Sequence, residues 1–403
     1  MEIKKQIAQL QEELITLRRD FHMHPELGFQ EYRTAEIVAQ YLQECGLEVQ
    51  RIAQTGVVGL LRSSKPGRTV MLRADMDALP VQEENEVPYK SVYPGKMHAC
   101  GHDGHIAMLL VAAKILAAYK EQLKGNVKFV FQPNEEDAGA LRMIEEGVME
   151  NPHVDAAFGV HLWSPIDSGK IAISGGPVMA GQYNFRLVVK GKGGHSGSPQ
   201  TAIDPVITAA NIIQSVQLIQ TREIDVLKPT LIIFGKISGG TAPNIIPDKV
   251  EMLGSMRTLY DSSDELEEQP RRRFARIVAN VCEAYRADYE LEFIPSSSTL
   301  INDEQLANVV KEVAESIVKP EQICSYVCMP GEDFAEFSRE VPGVFSFIGT
   351  GNQEKGTTYP HHHPCFNLDE DTLSLGVEMH VRTTLKYLTD CNDEVVIRRD
   401  FIK

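Results

Sequence analysis

Nowhere in its 403 residues does the chain hold the ~18–20 consecutive apolar residues that a membrane-spanning helix needs. No Lys/Arg-rich block interrupts a net charge of −16, which comes from 40 Lys+Arg against 56 Asp+Glu. Such a field repels a phosphate backbone, so neither nucleic acid nor a membrane is expected as a partner. The opening Met1-Glu2-Ile3-Lys4-Lys5-Gln6 has no apolar core of the kind a secretory signal carries. Cysteines are few and unordered: seven, at 45, 100, 282, 324, 328, 365 and 391, an odd number without framework spacing. Cys324 and Cys328 are one residue too far apart for Cys-x-x-Cys, and a reducing cytoplasm is the expected compartment. Internal repeats, heptads and low-complexity tracts are missing as well, which excludes solenoids, coiled coils and long linkers.

What remains is a globular composition, 43% hydrophobic and 24% charged. The length suggests two or three domains of about 100–200 residues each. Ile3, Ile7, Leu10, Leu14 and Leu17 fall at helical spacing over 3–20, and Pro25 ends that helix near His24. A second helix is expected over Thr34–Leu42. Short apolar runs at 57–61, 69–72, 127–131 and 156–160 read as buried strands, with a helix from Ile106 to Leu123 between the second and third. Alternation of this kind predicts an α/β domain, a mixed central sheet flanked by helices. After about residue 180 the pattern becomes β-α-β-β-α-β: strands at 183–190, 230–234, 249–258 and 289–293, helices at 202–220 and 264–285. That is an independent α+β unit. The expected organisation is one catalytic domain in two parts, 1–181 and 296–403, with residues 182–295 inserted between them.

Chemistry gathers where the strands end. Met97-His98-Ala99-Cys100-Gly101-His102-Asp103-Gly104-His105 packs a thiol, a carboxylate and three imidazoles ahead of an apolar helix. A Cys-x-His pair alone is a weak motif. The strand at 127–131 exits into Gln132-Pro133-Asn134-Glu135-Glu136-Asp137, and the one at 156–160 into His161-Leu162-Trp163. Tyr359-Pro360-His361-His362-His363-Pro364 lies in the last part. The candidate ligands are therefore Cys100, His102, Glu136, His161 and one of the histidines at 361–363. Five donors exceed the need of one tetrahedral ion and suit two divalent ions about 3.5–4 Å apart, with Cys100 as the natural bridge. Glu135 and Glu136, as neighbours on a turn, point in different directions, so one can bind metal while the other faces the attacking water.

Together these residues resemble the dinuclear-metal aminoacylase and carboxypeptidase family, in its amidohydrolase branch of hippuricases, N-acyl-amino-acid amidohydrolases and auxin-conjugate hydrolases. The resemblance rests on His22-x-x-Pro25-Glu26-Leu27, Asp75-x-Asp77-Ala78-Leu79-Pro80, the 97–105 stretch and Phe131-Gln132-Pro133-x-Glu135-Glu136. Gly194-His195-Ser196, Asn244-x-Ile246-Pro247-Asp248 and Gly331-Glu332-Asp333-Phe334 extend it along nearly the whole chain. It implies two divalent ions (Mn, Zn, Ni or Co) on Cys100, His102, Glu136, His161 and His362, with Glu135 as general base. It further implies that the inserted domain is a lid and dimerisation domain of a homodimer or higher homo-oligomer. His195 would help stabilise the oxyanion, while Asn244 and Arg257 would contact substrate. Asp75, His98 and His105 become supporting residues. The implied substrate is an N-acyl amino acid or a related conjugate, with a dipeptidase or carboxypeptidase activity as the alternative. Asn134, where the branch has a small residue, is a departure that bears on the pocket wall.

Overall fold

The structure is a computed structural model that describes residues 2–260 and 270–390. Cys391 and the opening of the helix expected from Asp264 lie outside the described residues. The chain forms two compact units: one runs to Gly176 and resumes over Ile301–Val327 and from Asp333, the other comprises Pro177–Leu300 and Cys328–Glu332.

The first unit is built on an eight-stranded mixed sheet. In spatial order its strands are Glu48–Ile52, Gly56–Arg62, Asn126–Gln132, Thr69–Asp75, Ala156–Asp167, Gly343–Gly351, Ile171–Ala172 and Ile323–Cys324. The four from Asn126–Gln132 to Gly343–Gly351 run parallel. Thr69–Asp75 is buried at every position, because helices cover both faces of the sheet, and this is why such strands read as unbroken apolar runs. On one face lies helix His102–Ala118, apolar around most of its circumference, with Ile106 to Ala113 fully buried. Helices Gln11–Met23, Tyr32–Glu44, Glu304–Ile317 and Leu373–Asp390 add Leu14, Val38, Val310 and Val377 to the same core. Val344 joins that core, so its neighbour Phe345 points the other way, where its ring meets Phe334 of helix Phe334–Glu340 at 5.2 Å.

Parallel strands bring their carboxyl ends to one edge. Asp75 and Gln132 are register partners, so the segments that follow them, through Asp77 and through Glu136, start side by side. Some boundaries differ from expectation. The strand expected to stop at Val160 runs to Asp167, because its pairing with Gly343–Gly351 continues past it, and His161 therefore lies inside a strand. The helix expected from Ile106 begins earlier, at His102, and ends at Ala118.

The second unit is a four-stranded antiparallel sheet in the order Thr230–Gly239, Lys249–Thr258, Gly181–Lys190, Asp288–Ser297. Helices Pro205–Leu218 and Pro270–Tyr285 close its core through Ile212, Val216, Phe274 and Val278. Asp204 caps the first of them by accepting from the N–H of Val206, and Pro205 fills the first helical position, where no N–H is needed.

Candidate metal centre

Gly101, at a φ of 93°, turns the chain from Cys100 into the helix that begins at His102. Both side chains thus lie at the helix mouth. His102 Nδ1 donates to the carbonyl of Asp77 at 2.8 Å, which leaves the Nε2 lone pair pointing outward, buried and without a hydrogen bond. His161 is set in the same way: Nδ1 donates to the Leu162 carbonyl at 2.8 Å, and Nε2 lies 3.8 Å from Cys100 Sγ. The His362 N–H donates to the carbonyl of Ala99, clamping its loop to that of Cys100. Its Nε2 lies 3.1 Å from Glu136 Oε1, a buried atom that makes no hydrogen bond.

The ligand atoms of Cys100, His102 and His161 lie within 4.8 Å of one another, and so do those of Cys100, Glu136 and His362. Cys100 belongs to both groups. Buried lone pairs that make no hydrogen bond are costly in a protein interior unless a cation takes them up. The local field agrees. Burial works against charge on His102, but Asp75, Asp77 and Glu136 outweigh it and lift its imidazole to about 10, so the carboxylates favour a cation at Nε2: a proton when no ion is bound, or a metal ion in the proton's place. At His161 burial, reinforced by His105 and His361, holds the imidazole far below its usual value and neutral, the form that ligates. Thiol, imidazole and carboxylate donors of this kind fit two adjoining divalent transition ions.

A set of buried partners holds the donors in place. Asp77 accepts the backbone N–H of Glu135 at Oδ1 (3.0 Å) and that of Glu136 at Oδ2 (3.1 Å), so one carboxylate fixes the turn that carries both glutamates. Glu135 Oε2 lies 3.9 Å from His102 Nε2. Asp75 accepts from His105 Nδ1 at 2.6 Å and from Arg73 Nη1 at 2.6 Å. His105 Nε2 in turn accepts the Leu162 N–H, so both its ring nitrogens are engaged in hydrogen bonds. Asp103, beside His102, meets Arg18 Nε at 2.9 Å and His22 Nδ1 at 2.7 Å, which ties the His22-x-x-Pro25 stretch to the centre. His98 is buried with neither ring nitrogen hydrogen-bonded, and burial pushes it down to about 4.

Of the three adjacent histidines, His361 stacks on Trp163 at 4.2 Å and donates to the Leu162 carbonyl. His363 stacks on Tyr359, and its Nδ1 accepts the Cys365 N–H. Among the described residues, His362 is the one of the three that reaches the donor groups. Asn134 adopts a left-handed conformation (φ 53°), which Asn tolerates better than most residues, and its amide donates to the Asp137 carbonyl. Nothing in the local sequence marks Asp77 as the anchor of this turn; its spacing from Asp75 is the one available hint.

The remaining candidates belong to the second unit. His195 is exposed on the short strand Gly194–His195, which pairs with Ile245–Ile246, and the Ser196 N–H donates to the Asn244 carbonyl. His195 and Asn244 are thereby neighbours, lining a cleft of about 750 Å³ with Thr241 and Ile245. The Gly197 N–H donates to His195 Nδ1, so the neutral ring carries its proton on Nε2. Arg257 stands apart from this pair, on strand Lys249–Thr258, where Nη1 donates to the Met329 carbonyl and burial lowers its pKa.

A family model described as peptidase family M20/M25/M40 matches residues 71–386. Thermostable carboxypeptidase 1 of Saccharolobus solfataricus is 39% identical over 394 residues, covering 96% of this chain and 98% of the other. N-acetylcysteine deacetylase of Bacillus subtilis is 37% identical over 370 residues, 90% of this chain and 93% of the other. A solved dinuclear-metal-binding peptidase of the M20 family from Bacillus subtilis superposes with a TM-score of 0.82 at 33% identity, over 94% of this chain and 99% of that one.

Proposed function

The chain belongs to peptidase family M20/M25/M40, and from that membership we propose that it hydrolyses the amide bond of N-acyl amino acids or related conjugates. The observation that carries this reading is the pair of donor groups sharing Cys100, with Glu135 beside them. Cys100, His102 and His161 would hold one ion and Cys100, Glu136 and His362 the other, from among Mn, Zn, Ni and Co. Bound ions of this kind supply Lewis acidity to a carbonyl and to water. Glu135 takes the proton of the attacking water and returns it to the departing amine. His195, with Nδ1 occupied, offers its Nε2–H to the oxyanion, and Asn244 and Arg257 hold polar groups of the substrate, Arg257 its carboxylate. The inserted unit acts as lid and dimerisation domain of a homodimer or higher homo-oligomer, and the scattered thiols fit a reducing cytoplasm.

A second reading has its own support. The carboxypeptidase of Saccharolobus solfataricus is as similar as any relative named above, and a peptidase would use the same donors and base. A panel of N-acetyl and N-benzoyl amino acids against free dipeptides separates the two. Turnover of the acylated substrates with free dipeptides left intact is expected; the reverse preference would overturn the assignment. Glu135→Gln should lower kcat by about 10²–10⁴-fold, the usual worth of a general base, with metal content by elemental analysis unchanged. Retained turnover in that variant would remove Glu135 from its role.

A further inference from the structure

Glu31 immediately precedes helix Tyr32–Glu44 and is fully buried, a rare setting for a carboxylate. Its Oε2 accepts from the Thr55 hydroxyl at 2.6 Å, and its Oε1 accepts the backbone N–H of Asn134 at 2.9 Å. Thr55 is buried as well. Asn134 is the left-handed residue that leads into Glu135, with φ 53° and ψ 46°. An L residue in that region needs holding by its surroundings. The next two amides, of Glu135 and Glu136, are held by Asp77. Three consecutive N–H groups of the acidic turn are thus pinned by two buried carboxylates. Glu31 holds the first of them, at the residue whose conformation sets the direction of the rest.

We infer that Glu31 is a positioning residue for the proposed hydrolysis, acting through the Asn134 N–H to hold Glu135 and Glu136 in their working orientation. It rests on the hydrolase reading above. Only the ionised carboxylate accepts at both oxygens with charge-assisted strength; once protonated it must donate from one of them and holds Asn134 less tightly. The groups facing it are Asp77 from the end of Thr69–Asp75, the neutral Thr55 hydroxyl, and the Asn134 amide. Burial, with Asp77 adding to it, outweighs the hydrogen bonds and raises the Glu31 carboxyl to about 7. The holding form therefore fills in as pH rises through neutrality.

The test compares kcat of the full-length, metal-loaded protein and its Glu31→Gln variant on the best substrate of the panel, from about pH 5.5 to 8.5, a span that brackets neutrality. Gln keeps the volume and an acceptor but carries no charge. At the alkaline end the variant should lose about 10–100-fold in kcat, the usual worth of a residue that orients a ligand, with KM little changed. That penalty should shrink as pH falls and the wild-type carboxylate takes up its proton. Thr55→Val, which removes a bond to the ionised form, should move the acid limb of kcat to higher pH. Amide hydrogen exchange over Asn134–Asp137 should be faster in Glu31→Gln at the alkaline end. A penalty equal at every pH, or no penalty, would overturn the inference, and so would an unmoved limb in Thr55→Val. Should Glu31→Gln not fold, Thr55→Val decides. A wild type that hydrolyses neither acylated nor free peptides would sink the hydrolase reading instead, and exchange over Asn134–Asp137 would still decide the positioning role.

Discussion

Two of the imidazoles grouped with Cys100 have given their Nδ1 proton to a backbone carbonyl, that of Asp77 for His102 and that of Leu162 for His161. A carbonyl can only accept, so the tautomer is settled by the main chain and the lone pair is left where a ligand needs it. Asp77 therefore serves twice: its carbonyl orients His102, and its carboxylate holds the amides of Glu135 and Glu136. Asp77→Asn keeps the carbonyl and replaces one accepting oxygen by an NH2 that confronts an N–H. It should cost about 10–100-fold in metal affinity or kcat, measured by metal titration with a competing chelator and by steady-state kinetics. Wild-type values in both would show that the turn holds itself. His362 came only from the family resemblance, the residues themselves leaving 361–363 open; the other four candidate donors could be read from the sequence because thiol, imidazole and paired carboxylates are chemically distinctive where strands end. Asp77 and Glu31 could not, since their partners are plain backbone amides 58 and 103 positions away.

At the scale of elements, strand Asn126–Gln132 shows what apolar patterning captures and what it hides. Its run Val127-Lys128-Phe129-Val130-Phe131 reads as a buried strand in spite of the lysine, and it is one. Lys128 is itself buried, and its ammonium donates to the carbonyls of Val148, Glu150 and Pro152 at 2.7, 2.9 and 3.0 Å. One side chain thereby fastens the segment that leads into the next parallel strand. Lys128→Met keeps the stem and removes the three donors, which should cost about 1–3 kcal/mol, toward the lower figure because water can reach some of those carbonyls. Urea denaturation should show a lower midpoint at unchanged slope; an unmoved midpoint would mean that water replaces the ammonium without loss. The helix expected over 202–220 was legible in kind, and its start moves to Pro205 because Asp204 caps it there. The continuation of Ala156–Asp167 beyond Val160 was not, because only pairing with Gly343–Gly351, far along the chain, sustains it.

For the whole molecule, the change from strand–helix alternation to β-α-β-β-α-β near residue 180 was visible because it is a change of period, from unbroken apolar strands to one-faced ones. The return of Cys328–Glu332 to the second unit leaves no such trace, being too short to carry a period. This division has a thermodynamic consequence. All the candidate donors, Cys100, His102, Glu136, His161 and His362, belong to the first unit, whose core is distinct from that of the second. Ions that bind the native first unit stabilise it by mass action, about 4 kcal/mol when free metal is a thousand times the dissociation constant. Dialysis against a chelator should therefore speed amide exchange in helix His102–Ala118 and strand Ala156–Asp167. Exchange around Phe185, Met252 and Phe274 of the second unit should stay as it was, and restoring Mn or Zn should reverse the change. Equal acceleration in both cores would show that the ions stabilise the chain as one cooperative body, and no acceleration in either would remove them from this site.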